Sequence, residues 1–209
     1  MPLNKKQNSG LTTVELMVAL VVTLIVSFIL FNFFIAQNKH YISADKTTVM
    51  QQRMRDALLT MVKDTRMAGY DPSGAANAGF IQHSTNIRSL NFTMDENGNG
   101  DCLDAGEDIL YSLAGTNLMR NGRTIAENVE DLEFNYVLDD DTSTTAPTDM
   151  ERIRLVQITL LARIKSADDG YINTLTYTPA SGATWGPFND NFKRQLLRTT
   201  IRCRNMGLL

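Results

Sequence analysis

The chain has 209 residues, with 20 Lys and Arg against 23 Asp and Glu, and its formal net charge is only -3. This balance argues against a strongly basic nucleic-acid-binding protein, and the 43% hydrophobic content argues against a chain that is disordered throughout. Residues 16–38 carry no charged side chain at all, so the composition also excludes a simple soluble cytosolic protein.

The first predicted element is a helix that crosses a membrane. Lys5 and Lys6 lie in a short polar leader, and the uncharged run 16–38 follows shortly afterwards. A helix of that run is roughly 34 Å long, enough to span the hydrocarbon core of a bilayer. The two lysines favour a cytoplasmic N-terminus, which places the rest of the chain outside the inner membrane. The run ends without the small residues of a secretory cleavage site, so we expect the segment to be retained.

Glu15 is the one acid near the start of this apolar segment. A carboxylate costs about 2.5–3.5 kcal/mol at the centre of a membrane helix and less near the interface. Two interpretations follow. Glu15 is either a simple interfacial acid of a membrane anchor, or an acid whose charge is compensated by a positive group of an assembled partner.

The segment 10–20, GLTTVELMVAL, resembles the processing motif of type IV prepilins and type II secretion pseudopilins. The resemblance implies that prepilin peptidase cleaves between Gly10 and Leu11 and methylates the new N-terminal amine of Leu11. It also implies that Glu15 pairs with the N-terminal amine of a neighbouring subunit during assembly. Leu11 replaces the phenylalanine usual in the family. Asn32 lies where many major pilins carry a helix-breaking proline, so no kink is predicted there.

The helix is predicted to continue from Leu11 to Met67. Its first half, 11–38, is the transmembrane or filament-core half, and 39–69 is an amphipathic half that ends near Gly69 and Pro72. Apolar residues spaced by three and four form one stripe on the second half, which is expected to pack on a domain. The stripe comprises Met50, Met54, Ala57, Leu58, Met61 and Val62.

Residues 70–209 are predicted to form a β-rich periplasmic domain, because apolar and polar residues alternate with period two after the helix. Strands are expected around 90–94, 109–113, 118–120, 132–138, 156–164 and 197–203, with a turn at Asn121-Gly122. The prediction is one antiparallel sheet with one face on the helix stripe and the other partly wet. The resulting fold class is α+β, and the resemblance implies the pilin fold.

A candidate calcium loop follows the first predicted strand. Oxygen-bearing side chains occupy alternate positions from Asp95, and Gly100 stands at the sixth position, as in the first half of an EF-hand loop. Position twelve is Gly106, and no helical pattern flanks the loop, so an EF-hand is excluded. A structural calcium site is predicted, with a solvated Asn/Gly turn as the alternative. The candidate ligands are Asp95, Asn97, Asn99, Asp101, Asp104 and Glu107, with Asp108 as a further choice.

Cys102 and Cys203 are the only cysteines in the chain. An even count in an exported domain favours one disulfide, which closes a loop of about 100 residues and contributes about 4–5 kcal/mol in the chain-entropy model. Two free thiols or a metal pair are the alternatives.

No catalytic motif accompanies the two histidines, His40 and His83, so an enzyme is not predicted. The last strand is rich in basic residues: Lys193, Arg194, Arg198, Arg202 and Arg204. In an acidic protein these charges favour a solvated face or a contact with acidic loops of another subunit. Contact with nucleic acid is the weaker interpretation.

Three further segments resemble PilW-like minor pilins: 67–70 (MAGY), 126–134 (AENVEDLEF) and 202–205 (RCRN). The resemblance implies a subunit that initiates pilus assembly at the tip and supports adhesion or twitching motility. Its partners would be other minor and major pilins, prepilin peptidase, the inner membrane and its pilus assembly platform. A pseudopilin of type II secretion, similar to GspJ, is one alternative. A membrane-anchored periplasmic binding or sensor domain that never polymerises is the other.

Overall fold

The computed structural model describes residues 12–168 and 170–207, so the predicted cleavage site at Gly10 and Leu11 lies outside the described residues. One helix, α1, is followed by eight strands in the described part of the chain. The elements are α1 (Thr13–Met67), β1 (Ser89–Thr93), β2 (Asp108–Ala114), β3 (Asn117–Arg120), β4 (Arg123–Glu127), β5 (Val129–Leu138), β6 (Ser143–Thr144), β7 (Ile153–Arg163) and β8 (Arg194–Arg202).

The chain divides into two compact units, Met1–Asp45 and Lys46–Leu209. In its described part, the first unit consists of the N-terminal portion of α1. The second contains the remainder of α1 and all eight strands. The helix is unbroken at Asn32, and its end at Met67 confirms the boundary predicted from Gly69 and Pro72.

The strands form two antiparallel sheets, in the orders β1-β2-β3-β4 and β6-β5-β7-β8. The antiparallel arrangement is confirmed, whereas the prediction of a single sheet is wrong. Only Asn128 separates β4 from β5, and its positive φ of 62° turns the chain so sharply that β5 leaves the first sheet. β5 then pairs with β7, which begins fifteen residues after β5 ends. The Asn121-Gly122 turn is confirmed between β3 and β4, both residues having positive φ.

The stripe on the second half of α1 belongs to the core of the second unit. Met54 and Met61 are 1% and 0% exposed, and Leu58 and Val62 pack against this core while staying partly accessible. Inward residues of both sheets complete it, among them Phe92, Tyr111, Leu132, Phe134, Ile158 and Ile201. Burial of this apolar surface is the main force that holds the unit together.

The outer face of the second sheet is partly wet, as predicted, and it is covered around the centre of β5. Glu133 points away from the core, yet it is only 1% exposed. Its carboxylate accepts hydrogen bonds from the backbone N–H of Ser181 at 2.9 Å and from the Ser181 hydroxyl at 2.7 Å. The Ala180 N–H donates to Thr159 Oγ1 on the neighbouring strand. The segment between β7 and β8 therefore folds back over the outer face, and its donors make the buried acid tolerable.

A polar cluster joins α1 to the first sheet within this second unit. Asp64 accepts a 2.6 Å hydrogen bond from the Tyr111 hydroxyl and a 2.6 Å ion-paired hydrogen bond from Arg120 Nε, both at Oδ2. Only 12% of the Asp64 side chain is exposed. Because the charge is largely removed from water, its two donors add a specific polar link between α1 and the first sheet.

Candidate functional site

The N-terminal portion of α1 presents an extended row of exposed apolar side chains. Large apolar side chains over 14–35 range from 39% exposed at Ile35 to 70% exposed at Phe28. The helix is long and apolar enough to cross a membrane. Two of its polar side chains bond within the helix: Thr23 Oγ1 donates to Ala19 O and Asn32 Nδ2 donates to Phe28 O. A surface of this size is stable in lipid or against similar helices, but not in water.

Glu15 lies in the first turn of α1 and forms a capping box with Thr12. The Thr12 backbone N–H and hydroxyl donate to Glu15 Oε2 at 2.8 and 3.0 Å, while the Glu15 N–H donates to Thr12 Oγ1 at 3.3 Å. Our sequence analysis missed Thr12, although Thr-x-x-Glu before an apolar run is a recognised helix-start signal. Glu15 thus has a local function in its own helix, and its assembly function stays a prediction.

Three carboxylates of the predicted calcium loop converge. One oxygen from each of Asp101, Asp104 and Glu107 lies within 4.8 Å of the others. Glu107 is buried and accepts hydrogen bonds from the backbone N–H groups of Glu96 and Asp104, each at 3.1 Å. These three residues fit part of the oxygen shell that Ca²⁺ requires.

The other predicted ligands are engaged in the loop itself. Asp95 is buried, and its carboxylate accepts from the N–H groups of Gly98, Asn99 and Gly100 at 2.6 to 3.1 Å. The side-chain amides of Asn97 and Asn99 donate to Asp104 Oδ2 at 2.7 and 2.9 Å. Asp95 therefore shapes the turn, and the asparagines surround the acidic cluster.

The predicted disulfide is not formed in this structure, where Cys102 and Cys203 are free thiols. Cys102 lies in the acidic loop, with Sγ 3.8 Å from the carbonyl oxygen of Ala76. Cys203 follows β8, is 3% exposed and lies close to the charge of Arg154. The disulfide and its alternatives therefore stay predictions.

Cys203 makes the stability of the protein sensitive to alkaline pH. Burial raises the pKa of its thiol from 9.0 to about 12. The folded state keeps this proton where the unfolded state releases it, so its stabilising contribution is complete below pH 9 and is lost between pH 9 and 12. Above pH 9 the free energy of unfolding falls as the pH rises. In reducing buffer we expect this fall to be less steep for the Cys203→Ala variant than for the wild type, by up to about 1.4 kcal/mol per pH unit.

Chemical denaturation at pH 8 to 11 measures this difference. Tyr111, whose pKa burial also raises, contributes equally to the wild-type and variant curves and so cancels. Burial and the nearby charge of Cys203 both raise the pKa of Tyr136, so the measured difference in slope includes this link between the two groups. Cys102→Ala is the control, because that thiol is less buried and is expected to change the slope less. Identical slopes for Cys203→Ala and the wild type would contradict the prediction.

The basic residues predicted for the last strand do not form one surface. The Arg194 side chain is fully buried, pairs with Glu130 and Asp190, and its guanidinium lies 3.9 Å from the centre of the Phe188 ring. Lys193 pairs with Asp168 at 2.8 Å. The exposed arginines of the strand and its extension alternate with inward residues, and they are Arg198, Arg202 and Arg204.

Comparisons with known proteins agree with this architecture. Residues 91–205 match the family described as PilW, Type IV Pilus-assembly protein W. This match covers more than half of the chain. The chain belongs to the PilW family. A comparison with curated proteins gives no match.

This PilW-family chain also resembles a solved structure, the Type IV-like pilin TTHA1219 from Thermus thermophilus, with a TM-score of 0.51 and 12% sequence identity. The likeness covers 75% of this chain and 97% of that chain. At this identity it shows the fold, so the expected type IV pilin fold is confirmed. The PilW-family protein is thus a type IV pilus-related pilin, and its family and fold are those of structural pilin proteins.

Proposed function

We propose that this PilW-family protein is a minor subunit of a type IV pilus that helps to initiate the filament at its tip and supports adhesion or twitching motility. The observation that carries the proposal is the combination of a PilW domain with an exposed apolar helix whose first turn contains the capping residue Glu15. Such a helix is soluble only in lipid or in a bundle of similar helices. The role is structural rather than catalytic.

The proposed life cycle follows from the N-terminal segment. The precursor enters the inner membrane with its leader in the cytoplasm and its globular domain in the periplasm. Prepilin peptidase then removes residues 1–10 and methylates Leu11. The assembly platform moves the subunit out of the membrane only if other minor and major pilins rebury the apolar side chains. The family match favours a pilus over a type II secretion machine.

Mass spectrometry of the native protein tests the processing step. A mature chain that starts at methylated Leu11 and cosediments with sheared surface fibres is the expected result. A chain that keeps Lys5 and Lys6 and never cosediments with fibres would instead identify a membrane-anchored binding or sensor domain. Methylated Leu11 in a chain found only in secretion complexes would favour the GspJ-like alternative.

A second proposal concerns calcium in the acidic loop. The loop 95–108 contains acidic but no basic residues, and Asp101, Asp104 and Glu107 already bring three oxygens together. A bound Ca²⁺ would relieve their mutual repulsion, and Asn97 and Asn99 would add oxygens if their side-chain amides rotated. Calcium would then hold the loop between β1 and β2 in one conformation.

The expected effect of calcium is thermal stabilisation. For an affinity of 10⁻⁴ to 10⁻³ M, saturation at about 10 mM stabilises the fold by roughly 1.4–2.7 kcal/mol and raises the melting temperature by several degrees. Asp104→Asn with Glu107→Gln is expected to abolish this rise. Asp149→Asn, an exposed acid in another loop, serves as the control. Thermal melts without any calcium-dependent rise in the wild type would refute the site.

A further inference from the structure

A cavity of about 480 Å³ lies beside the last strand and is lined by Arg66, Thr200, Arg202 and Arg204. Arg66 belongs to the last turn of α1, whereas the other three residues belong to β8 and its extension. All four are exposed at the surface of the second unit. Three guanidinium groups and one hydroxyl, all hydrogen-bond donors, therefore surround one space.

The C-terminal segment holds these distant residues together. Asn205 Nδ2 donates to the carbonyl oxygens of Arg66 and Ala68 at 3.4 and 3.5 Å. Met206 packs so closely on Gly69 that a Cβ added there would lie 2.7 Å from its sulfur. Gly69 also has a positive φ of 74°, so a side chain would be strained as well as crowded. The C-terminal end of α1 and the segment that follows β8 are therefore held in contact by these interactions.

The charge of the cavity is not neutralised within the described part of the chain. Arg66, Arg202 and Arg204 form no ion pair with any carboxylate of residues 12–168 or 170–207. Arg55, Arg123 and Arg198 likewise form none among the described residues. The other seven arginines do form such pairs: Arg53, Arg88, Arg120, Arg152, Arg154, Arg163 and Arg194. In a protein of net charge -3, the three positive charges of the cavity are concentrated where an anion could compensate them.

We propose that this cavity binds a phosphate-bearing ligand, held by Arg66, Arg202 and Arg204 with Thr200 as an additional donor. Guanidinium groups bind phosphate oxygens with paired hydrogen bonds, and a single carboxylate would neutralise only one of the three charges. A second cavity of about 210 Å³ shares Thr200 and adds Arg198 and Gln157. Because the two spaces share Thr200, a ligand with two linked phosphates is the probe chosen to contact both.

Calorimetric titration of the full chain in nonionic detergent, at constant ionic strength, tests the proposal. Sodium pyrophosphate is the first probe, and a short oligodeoxynucleotide is the second. Saturable binding of pyrophosphate is expected, weakened about tenfold or more by Arg202→Gln and by Arg204→Gln. Arg123→Gln is the matched control. Arg123 is exposed, lies on the edge strand of the first sheet and forms no ion pair with any described residue.

Circular dichroism confirms that each variant is folded before its affinity is compared. Binding of pyrophosphate that is lost in the two cavity variants and kept in the control supports the site. Binding of both probes with that same pattern also supports it and adds nucleic acid as a carrier of the phosphate. Binding of the oligonucleotide alone, equal loss in the control, or no binding of either probe would overturn the proposal.

Discussion

Glu15→Val is expected to leave membrane insertion intact and to reduce incorporation into filaments by about tenfold or more. The valine makes the segment more apolar, so insertion is not impaired. In a bundle of similar helices, the N-terminal amine of a neighbouring subunit would lose its partner, and an unpaired buried charge costs several kcal/mol. Immunoblots of membrane and sheared-fibre fractions measure both quantities. Normal incorporation of this variant would contradict the pairing mechanism.

The capping box requires a second variant, because Glu15→Val removes both the charge and the cap. Glu15→Gln removes the charge but keeps an N3 side chain that can cap the helix. Thr12→Ala removes the cap at a cost of about 1 kcal/mol in helix stability and keeps the charge. If charge pairing directs assembly, the glutamine variant fails and the alanine variant assembles. The reverse result would assign Glu15 to capping instead.

Asp64→Ala is expected to lower the free energy of unfolding by about 3 kcal/mol. The substitution deprives the Tyr111 hydroxyl and the Arg120 guanidinium of their shared acceptor, and it leaves both donors poorly solvated. For a unit of this size the melting temperature should fall by roughly 6–12 °C. Urea unfolding of the full chain in nonionic detergent, followed by circular dichroism, measures the loss.

Asp56→Ala is the matched control for Asp64. Asp56 lies eight residues earlier on α1, is exposed, and forms no ion pair among the residues that the structure describes. Its removal should change stability by less than about 0.5 kcal/mol. Asp64→Asn, which keeps an acceptor oxygen, should fall between the two alanine variants. A loss below 1 kcal/mol for Asp64→Ala would show that the cluster does not secure the helix to the sheet.

Features that depend on local spacing could be predicted from the sequence. The apolar run, the stripe through Met54 and Met61, and the stop at Gly69 place α1 within the described residues. The period-two alternation around Phe134 and Ile158 likewise identifies strands with a buried face. These patterns reflect the direction of successive side chains, which repeats every few residues in a helix or a strand. β6 was missed because it has only two residues, and β4 because Arg123–Glu127 lacks a clear apolar alternation and buries only Ala126.

The candidate sites were only partly accessible to the same reasoning. The oxygen pattern after Asp95 correctly marked an acidic loop. The folded structure was needed to show that Asp95 accepts hydrogen bonds from backbone N–H groups of the turn. It was also needed to show that oxygens of Asp101, Asp104 and Glu107 converge. Every one of these residues has the same kind of side chain. Whether its oxygens face the backbone or a common centre depends on φ angles such as those of Gly98 and Gly100, which alternation in sequence does not encode.

The sequence by itself determined the N-terminal apolar helix, the processing motif that it resembles, and the alternation of the strands. Tertiary structure alone decided that the strands divide into two sheets, that Glu133 is covered, and that Arg66 meets Arg202 and Arg204. The physical reason is how far apart in sequence the interacting residues lie. Local spacing sets which face of an element is apolar, whereas packing between residues more than a hundred positions apart sets which elements meet.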